Sequence, residues 1–359
     1  MTPLRVVASS AAELIGIIPS LLGFVPSHSI LLVGMLPDSD WERVLHRAGP
    51  LAMVTLDVED ASDLASEELW RSAAAPLLRE GADGLFVVAY AEEADGAALA
   101  VAVAGLSEAM MGTGVPLTEA VCVRDGRIYP LLEDDAAQGD GVAVPAGAQL
   151  PQLAPFVAAG VAPMDSLDEL TATYRAGSAD AARVSEVEIA CRTWEGRERN
   201  RKRASGLAAL GMLLGPEAPP VGEFPIDILG AAIVGLSDAI VRDVLASWLV
   251  PSLAQAFNEG SDEELFREVL VKLLGEGVPA TAEDAHRVQD RLRAVLTFCP
   301  AARADDLSGV LGLFLWSIGD GVMARRVWEA APSSGFARLG LVALSAGVGP
   351  GLLFGSSVR

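Results

Sequence analysis

The sequence predicts an α/β fold. Residues 1–150 should form a three-layer domain with a mostly parallel sheet and an antiparallel hairpin edge, and residues 151–359 an all-α helical domain. Three observations carry this reading. Apolar strand-like runs alternate with helical patterns through about residue 115, as a sheet covered by helices requires. Asp125-Gly126 stands between two apolar runs, a strong short-range hairpin signal. Beyond residue 151 the strand signals fade and one helical period follows another.

The stretch Ser10–Leu36 organises the first domain. Ser10 followed three residues later by Glu13 is a capping-box signature for a helix start. Leu14, Ile17, Ile18, Leu21 and Leu22 repeat at helical spacing and make one apolar face. Pro19 lies inside that pattern and should kink the helix or start its last turn. Gly23 suits a left-handed cap. Ile30–Val33 is a continuous apolar run, as in a strand covered on both faces. A second short run, Leu4–Ala8, could precede the helix as another strand.

Further along, Leu51–Val58 reads as a strand and Ser62–Arg79 as a helix. Leu85–Ala91 has the richest β-branched and aromatic content of any strand candidate. Ala97–Met111 is an alanine-rich helix, and Ala120–Val123 and Arg127–Leu131 flank the hairpin turn. Glu133–Pro151, with its acids, glycines and prolines, reads as a linker.

The second half opens with a short helix at Ser166–Glu169 and a long one over Ala181–Leu214 with a basic middle. Ile226–Val250, Asp262–Leu274 and Glu283–Phe298 follow as amphipathic helices. Three short helices close the pattern at Leu307–Ile318, Val322–Ala331 and Phe336–Ser345. Leu311-Gly312, Ala324, Trp328 and Ala331 fall at tetratricopeptide spacing, so residues 305–346 could be a tetratricopeptide-like hairpin. Ser308, Leu315 and Phe336 depart from that pattern, and no second copy follows. An isolated helical hairpin explains the small residues as well.

Composition narrows the class. The 359 residues are 51% hydrophobic and 21% charged, with a formal net charge of -22. Residues 1–150 hold 7 Arg against 22 Asp and Glu, a net of -15. Such acidity argues against generic attraction to nucleic acid or anionic lipid. Three scattered cysteines fit a reducing compartment. Ile228–Val250 is long enough to span a membrane but holds Asp238, Arg242 and Asp243, and Leu339–Gly355 is broken by glycines and Pro350. With no secretory pattern at the N-terminus, a cytoplasmic location is expected. The three histidines show no ligand spacing, so no metal is expected. No dinucleotide, Walker or nucleophile-elbow motif occurs, so no cofactor is expected either.

The run Ile18-Pro-Ser-Leu-Leu-Gly-Phe-Val-Pro-Ser-His-Ser-Ile-Leu-Leu-Val-Gly34 resembles the opening motif of an uncharacterised actinobacterial family, domain of unknown function 4192. There a Pro-aromatic-Leu-Leu-Gly-Phe segment leads through Pro to Ser and a hydrophobic strand; here Ser20 replaces the aromatic. Val123–Arg127, Val241–Asp243 and Trp316–Gly321 match further motifs in order. Family members often carry cysteines after the hairpin, whereas Glu133–Gly147 has none. Any metal or redox role tied to those cysteines is therefore not carried over. The resemblance implies an architecture and no activity.

Candidate site residues fall into three groups. Ser27, His28 and Ser29 could rim a pocket, although a stiffened structural turn explains them too. Asp57 and Tyr90 would sit at strand carboxyl ends, where ligands of open α/β sheets bind. The His28 turn begins a strand, so a parallel sheet would put it at the opposite end. Arg124 and Arg127 border the hairpin and could clamp an anion or simply be solvated. For an interaction surface, the candidates are Arg197, Arg199, Arg201, Lys202 and Arg203, with Trp316 and Trp328. The expected function is a non-enzymatic binding or assembly module acting on a protein partner or a second copy. The alternative is an enzyme that takes a small metabolite at the strand carboxyl ends.

Overall fold

The computed structural model describes residues 10–37, 46–56, 61–92, 95–131, 140–158, 162–256, 260–274, 282–346 and 348. Leu4–Ala8, Asp57 and the first part of Glu133–Pro151 lie outside the described residues. The fold is α/β, with one six-stranded mixed sheet and many helices. By contact density the chain divides into two compact units. Among the described residues, one comprises residues 10–167 with 345–346, and the other residues 168–344 with 348.

In the first unit, helix α1 (Ala11–Leu22) begins as its sequence indicates. Ser10 Oγ accepts the Glu13 amide at 3.2 Å. The helix ends at Gly23, whose φ of 78° is the left-handed cap conformation and whose amide donates to the Pro19 carbonyl. Strands β1 (Ser29–Pro37) and β2 (His46–Thr55) follow, then α2 (Glu67–Arg79), β3 (Gly84–Tyr90) and α3 (Gly96–Met111). Strands β4 (Leu117–Arg124) and β5 (Arg127–Pro130) form the expected hairpin. Its central residues, Asp125 and Gly126, have φ of 51° and 68°, the pair of positive angles that a type I′ turn requires.

The sheet order is β2-β1-β3-β4-β5, ending with β6 (Val142–Ala143). This corrects the expectation of a mostly parallel sheet. Only β3 and β4 pair in parallel; β1 is antiparallel to both β2 and β3. Chain length is the cause. Eight residues, 38–45, separate β1 from β2, whereas a parallel crossover needs about a dozen or more. Strand β2 therefore returns alongside β1, and β3 pairs on the free edge of β1. The linker reading over Glu133–Pro151 is also corrected, because Val142 and Ala143 pair with β5 and extend the sheet by one strand.

Alternation along the strands makes two cores. Ile30, Leu32, Val87 and Ala89 pack with Trp70 and Leu77 of α2 and Ala102 and Leu106 of α3. Leu31, Val33, Val88, Tyr90 and Val121 pack with Ile15 and Ile18 of α1. Close helix approach on the first face depends on Gly105, where a Cβ would lie 2.7 Å from the Leu64 carbonyl. That carbonyl accepts Trp70 Nε1–H at 2.7 Å. Residues beyond 150 stay in this unit. The short helix α4 (Ala154–Ala158) is followed by Met164, whose amide and carbonyl pair with Gly23 and Val25 at 2.9 and 2.8 Å.

The second unit is helical throughout. It contains α5 (Leu167–Ala172), α6 (Ala181–Glu195), α7 (Arg199–Leu214), α8 (Ile226–Leu236) and α9 (Ala239–Leu249). After these come α10 (Asp262–Leu274), α11 (Ala282–Phe298), α12 (Asp305–Ser317), α13 (Gly321–Glu329) and α14 (Gly335–Ser345). Two stretches that read as single long helices are helix pairs. Ala181–Leu214 breaks at Gly196-Arg197-Glu198. Both halves then pack on α8: a Cβ on Gly230 would meet Ala190 of α6, and one on Gly235 would meet Gly206 of α7, each at 2.7 Å. Ile226–Val250 breaks at Ser237-Asp238, where Asp238 caps α9 by accepting the Ile240 amide at 3.1 Å.

The terminal helices close on a tryptophan. Trp328 is fully buried, donates Nε1–H to the Gly309 carbonyl at 3.1 Å, and lies edge-on to Trp316 with centroids 5.8 Å apart. A side chain at Gly312 or Gly340 would collide with the Trp328 ring. Trp316 and Trp328 are therefore core residues, which corrects their assignment to an interaction surface.

Candidate functional site

The antiparallel placement of β1 brings the His28 turn to the same sheet end as Tyr90, which a parallel sheet would separate from it. Ser29 pairs with Thr55 of β2 and Tyr90 of β3, so β1 starts where β2 and β3 end. Tyr90 in turn pairs with Val123 near the end of β4. His28 thus stands at the carboxyl edge of three strands, the end favoured by ligands in α/β sheets.

His28 is held there in a rare conformation. Its φ of 43° lies in the left-handed region, which histidine enters more readily than β-branched residues do. The surroundings determine the conformation. The His28 carbonyl accepts the Leu56 amide at 2.6 Å, and Nδ1 lies 2.9 and 3.0 Å from the two Asp95 carboxylate oxygens. Asp95 precedes α3, and its Oδ2 also accepts the Glu92 amide at 2.7 Å. It makes no side-chain bond to its own helix amides. Glu92 places a carboxylate oxygen 3.9 Å from Nε2 of the same ring. The imidazole side chain remains 43% exposed, so a solvent-borne molecule can reach it.

The other candidates are engaged in holding the edge. Pro19 has no N–H, so the Ile15 carbonyl one turn earlier lacks its helical donor. Tyr90 Oη lies 3.5 Å from that carbonyl and donates to it. Burial pushes the Tyr90 hydroxyl above its ordinary pKa, which keeps it a neutral donor. Ser29 is 2% exposed, and among the described residues its hydroxyl has no hydrogen-bond partner, whereas Ser27 is exposed. Arg124 lies 5.0 Å over the Tyr129 ring. Arg127 donates to the Asp140 and Gly141 carbonyls, the second at 2.9 Å, and so ties β6 to the hairpin. The sequence reading missed Asp95 and Glu92. The available signal was Asp95 directly before the α3 pattern, a common place for a carboxylate at a helix start.

The basic stretch in the helical unit is partly neutralised within the fold. Arg192 pairs with Glu188 at 3.1 Å, and Arg199 and Arg203 converge on Asp238 at 2.9 and 3.0 Å. Burial pushes the Asp238 carboxyl up, but bonds from Arg203, Arg199 and the Ile240 amide outweigh it and hold the group below its usual range. Arg203 is 7% exposed, so its place in a surface patch is corrected: it is a buried ion-pair residue. Arg197 and Arg201 are exposed, and Lys202 is half-buried.

All three cysteines are buried and free. Burial raises the pKa of each thiol, that of Cys191 to about 11, which disfavours a reactive thiolate. Among the described residues, no group of three or more histidine, cysteine or carboxylate side chains could hold a metal ion, and no helix is long and apolar enough to cross a membrane.

Comparison with protein families places the chain. The model of domain of unknown function 4192 matches residues 12–351, so the chain belongs to that family. No curated protein and no solved structure matches it.

Proposed function

We propose that the protein is a non-enzymatic binding and assembly module of the cytoplasm, in which a three-layer α/β platform carries a helical interaction unit. The two cores on opposite sheet faces support the layered reading. The observation that carries the assembly reading is a set of large apolar side chains left exposed at helical spacing. Leu265 and Val269 on α10 are 56% and 44% exposed, and Leu339 and Val342 on α14 are 72% and 68% exposed. Paired apolar residues on one helix face mark contact sites more often than isolated ones do. The inner side of α14 is meanwhile packed through Ala337 and Gly340. The test is the mass of the purified protein in solution, together with affinity capture from its native lysate. A larger species or a reproducible partner that is lost in Leu339→Asp/Val342→Asp supports the reading. A strict monomer that captures nothing rejects it.

A second reading, an enzyme acting on a small metabolite at the sheet edge, is favoured by one observation. His28 is strained, half-exposed and oriented by Asp95 at the carboxyl ends of β2 and β3. Such constrained residues cluster at functional sites. This reading requires a small molecule that shifts the melting temperature of the wild type and not that of His28→Asn.

A further inference from the structure

We propose that the turn between α6 and α7 is a self-association surface that takes the acidic α/β unit of a second copy of this chain. The inference rests on the assembly reading and names its partner. Arg197 lies in the turn and Arg201 in the first turn of α7; both are exposed, and neither makes an ion pair among the described residues. Arg199, beside them, keeps 68% of its side chain exposed despite its contact with Asp238. Lys202 adds a fourth cation to the same turn.

The placement is unfavourable for α7 taken alone. The N-terminus of a helix carries the positive end of its dipole, so a cation there is disfavoured. Here Arg199, Arg201 and Lys202 crowd that end, and Glu198 at the cap position makes no side-chain bond to the helix. Local rules are broken this way where another requirement overrides them. An anionic surface docked on the turn satisfies the dipole and the cations together.

The chain itself supplies the anionic groups. Residues 1–150 carry a net charge of -15, and Asp63, Glu68, Glu80 and Glu92 are exposed there. Two copies, each of net charge -22, repel at long range, but at physiological salt that repulsion is screened beyond about 8 Å. Contacts at the turn then decide the outcome. The same screening does not equally favour nucleic acid, whose phosphates would also meet the surrounding acids at close range. A turn on one copy meeting the α/β unit of another joins two different patches; it closes as a two-fold dimer where both copies make the contact reciprocally, and builds rings or open chains where they do not.

The experiment is sedimentation velocity over a concentration series at a low, physiological salt of about 150 mM and at about 500 mM. It compares the wild type with Arg197→Glu/Arg201→Glu and the neutral Arg197→Gln/Arg201→Gln. Circular dichroism confirms that each variant is folded. The expected result is concentration-dependent growth at low salt, with apparent affinity about tenfold or more weaker at high salt and in the Glu variant, and an intermediate loss in the Gln variant. A wild type that stays monomeric at low salt overturns the proposal, and so does association that the variants leave unchanged. A labelled oligonucleotide bound by the wild type and released by the Glu variant also overturns it, in favour of nucleic acid. If the wild type is monomeric yet retains a partner from lysate, this inference fails while the assembly reading stands; if it retains nothing, both fail.

Discussion

The α/β unit satisfies its backbone through sheet ladders, whereas the helical unit relies on arginine side chains at its helix ends and turns. Arg287 Nη1 donates to the Leu214 carbonyl at 2.8 Å, and Arg291 donates to Leu213 and Pro219 at 3.0 and 2.9 Å and also to Ala218. These groups close the C-terminal end of α7, whose last carbonyls have no helical donor. Arg183 does the same for Gly222 and Phe224 at 2.8 Å each. Arg303 joins α6 to the chain ahead of α12 through Glu188 at 2.7 Å and Glu195 at 2.5 Å. The α/β unit has few arginines, and its analogous devices are Arg127 on the β6 loop and Arg79, whose Nε donates to the Ala75 carbonyl at 3.2 Å in the last turn of α2. The lesson is that most arginines described in the second half of this chain are engaged within the fold, some by backbone carbonyls and more by carboxylates. Arginine density there is therefore a poor indicator of nucleic-acid binding; among the described residues Arg197 and Arg201 are exposed and make no ion pair, and the same holds for Arg175 and Arg338.

The sharpest way to break this comparison is through the two buried tryptophans. Trp70 anchors α2 in the α/β unit, and Trp328 fills the space between Gly312 and Gly340 in the helical unit. Either change to Ala should cost about 3–5 kcal/mol. If the units are separate cooperative bodies, calorimetry of Trp328→Ala should move one transition and leave the other in place, with the reverse for Trp70→Ala. A single transition displaced equally by both changes would show that the two units melt as one.

The unequal legibility of the two halves has the same origin. In the α/β unit, local chemistry settles the elements. The Ser10 cap, the Gly23 terminus and the Asp125-Gly126 turn each leave one backbone conformation open, and each was readable. The strand directions were not, because they depend on which strand edge receives β3, a choice made by tertiary packing. The eight-residue gap between β1 and β2 carried the needed clue. In the helical unit, apolar periodicity resumes at once after Ser237-Asp238, so the pattern did not mark that break; around Gly196 it lapses from Glu195 to Arg203, but the Glu, Arg and Lys residues there are good helix formers and hid the break. The candidate site was half legible. His28 stood out, but Asp95, distant in sequence, meets it only because β1 is reversed.

A smaller effect sharpens the comparison through pH. Asp320 caps α13, accepting the Met323 amide at 3.0 Å, and burial pushes its pKa up to about 6. The folded state therefore binds this proton more tightly than the unfolded chain, whose aspartates titrate near 4. The contribution of Asp320 favours folding below pH 4 and is lost as the pH rises through 6. Above that, a charged carboxylate is held in a desolvated place. Asn caps helices about as well as Asp. Asp320→Asn should therefore raise the stability of the helical unit by about 3 kcal/mol at pH 8, and the gain should vanish at pH 4. Urea unfolding at the two pH values checks this; a gain independent of pH would mean that the cap and not the charge is responsible.

The smallest effect concerns the edge of the α/β unit. If His28 is there for its backbone, a residue tolerant of positive φ should replace it at little cost. His28→Asn loses a half-exposed contact with Asp95 and should destabilise by less than about 1 kcal/mol. His28→Val forces a β-branched residue into φ near 43° and should cost about 2–3 kcal/mol. Equal losses in the two variants would mean that the ring contact, not the backbone, sets the cost. Because Asn preserves the turn while removing the imidazole, it also separates fold from chemistry. A ligand whose binding disappears in a fully stable His28→Asn protein would identify the ring itself as the functional group, and would place the chemistry of this chain in the unit that depends least on its arginines.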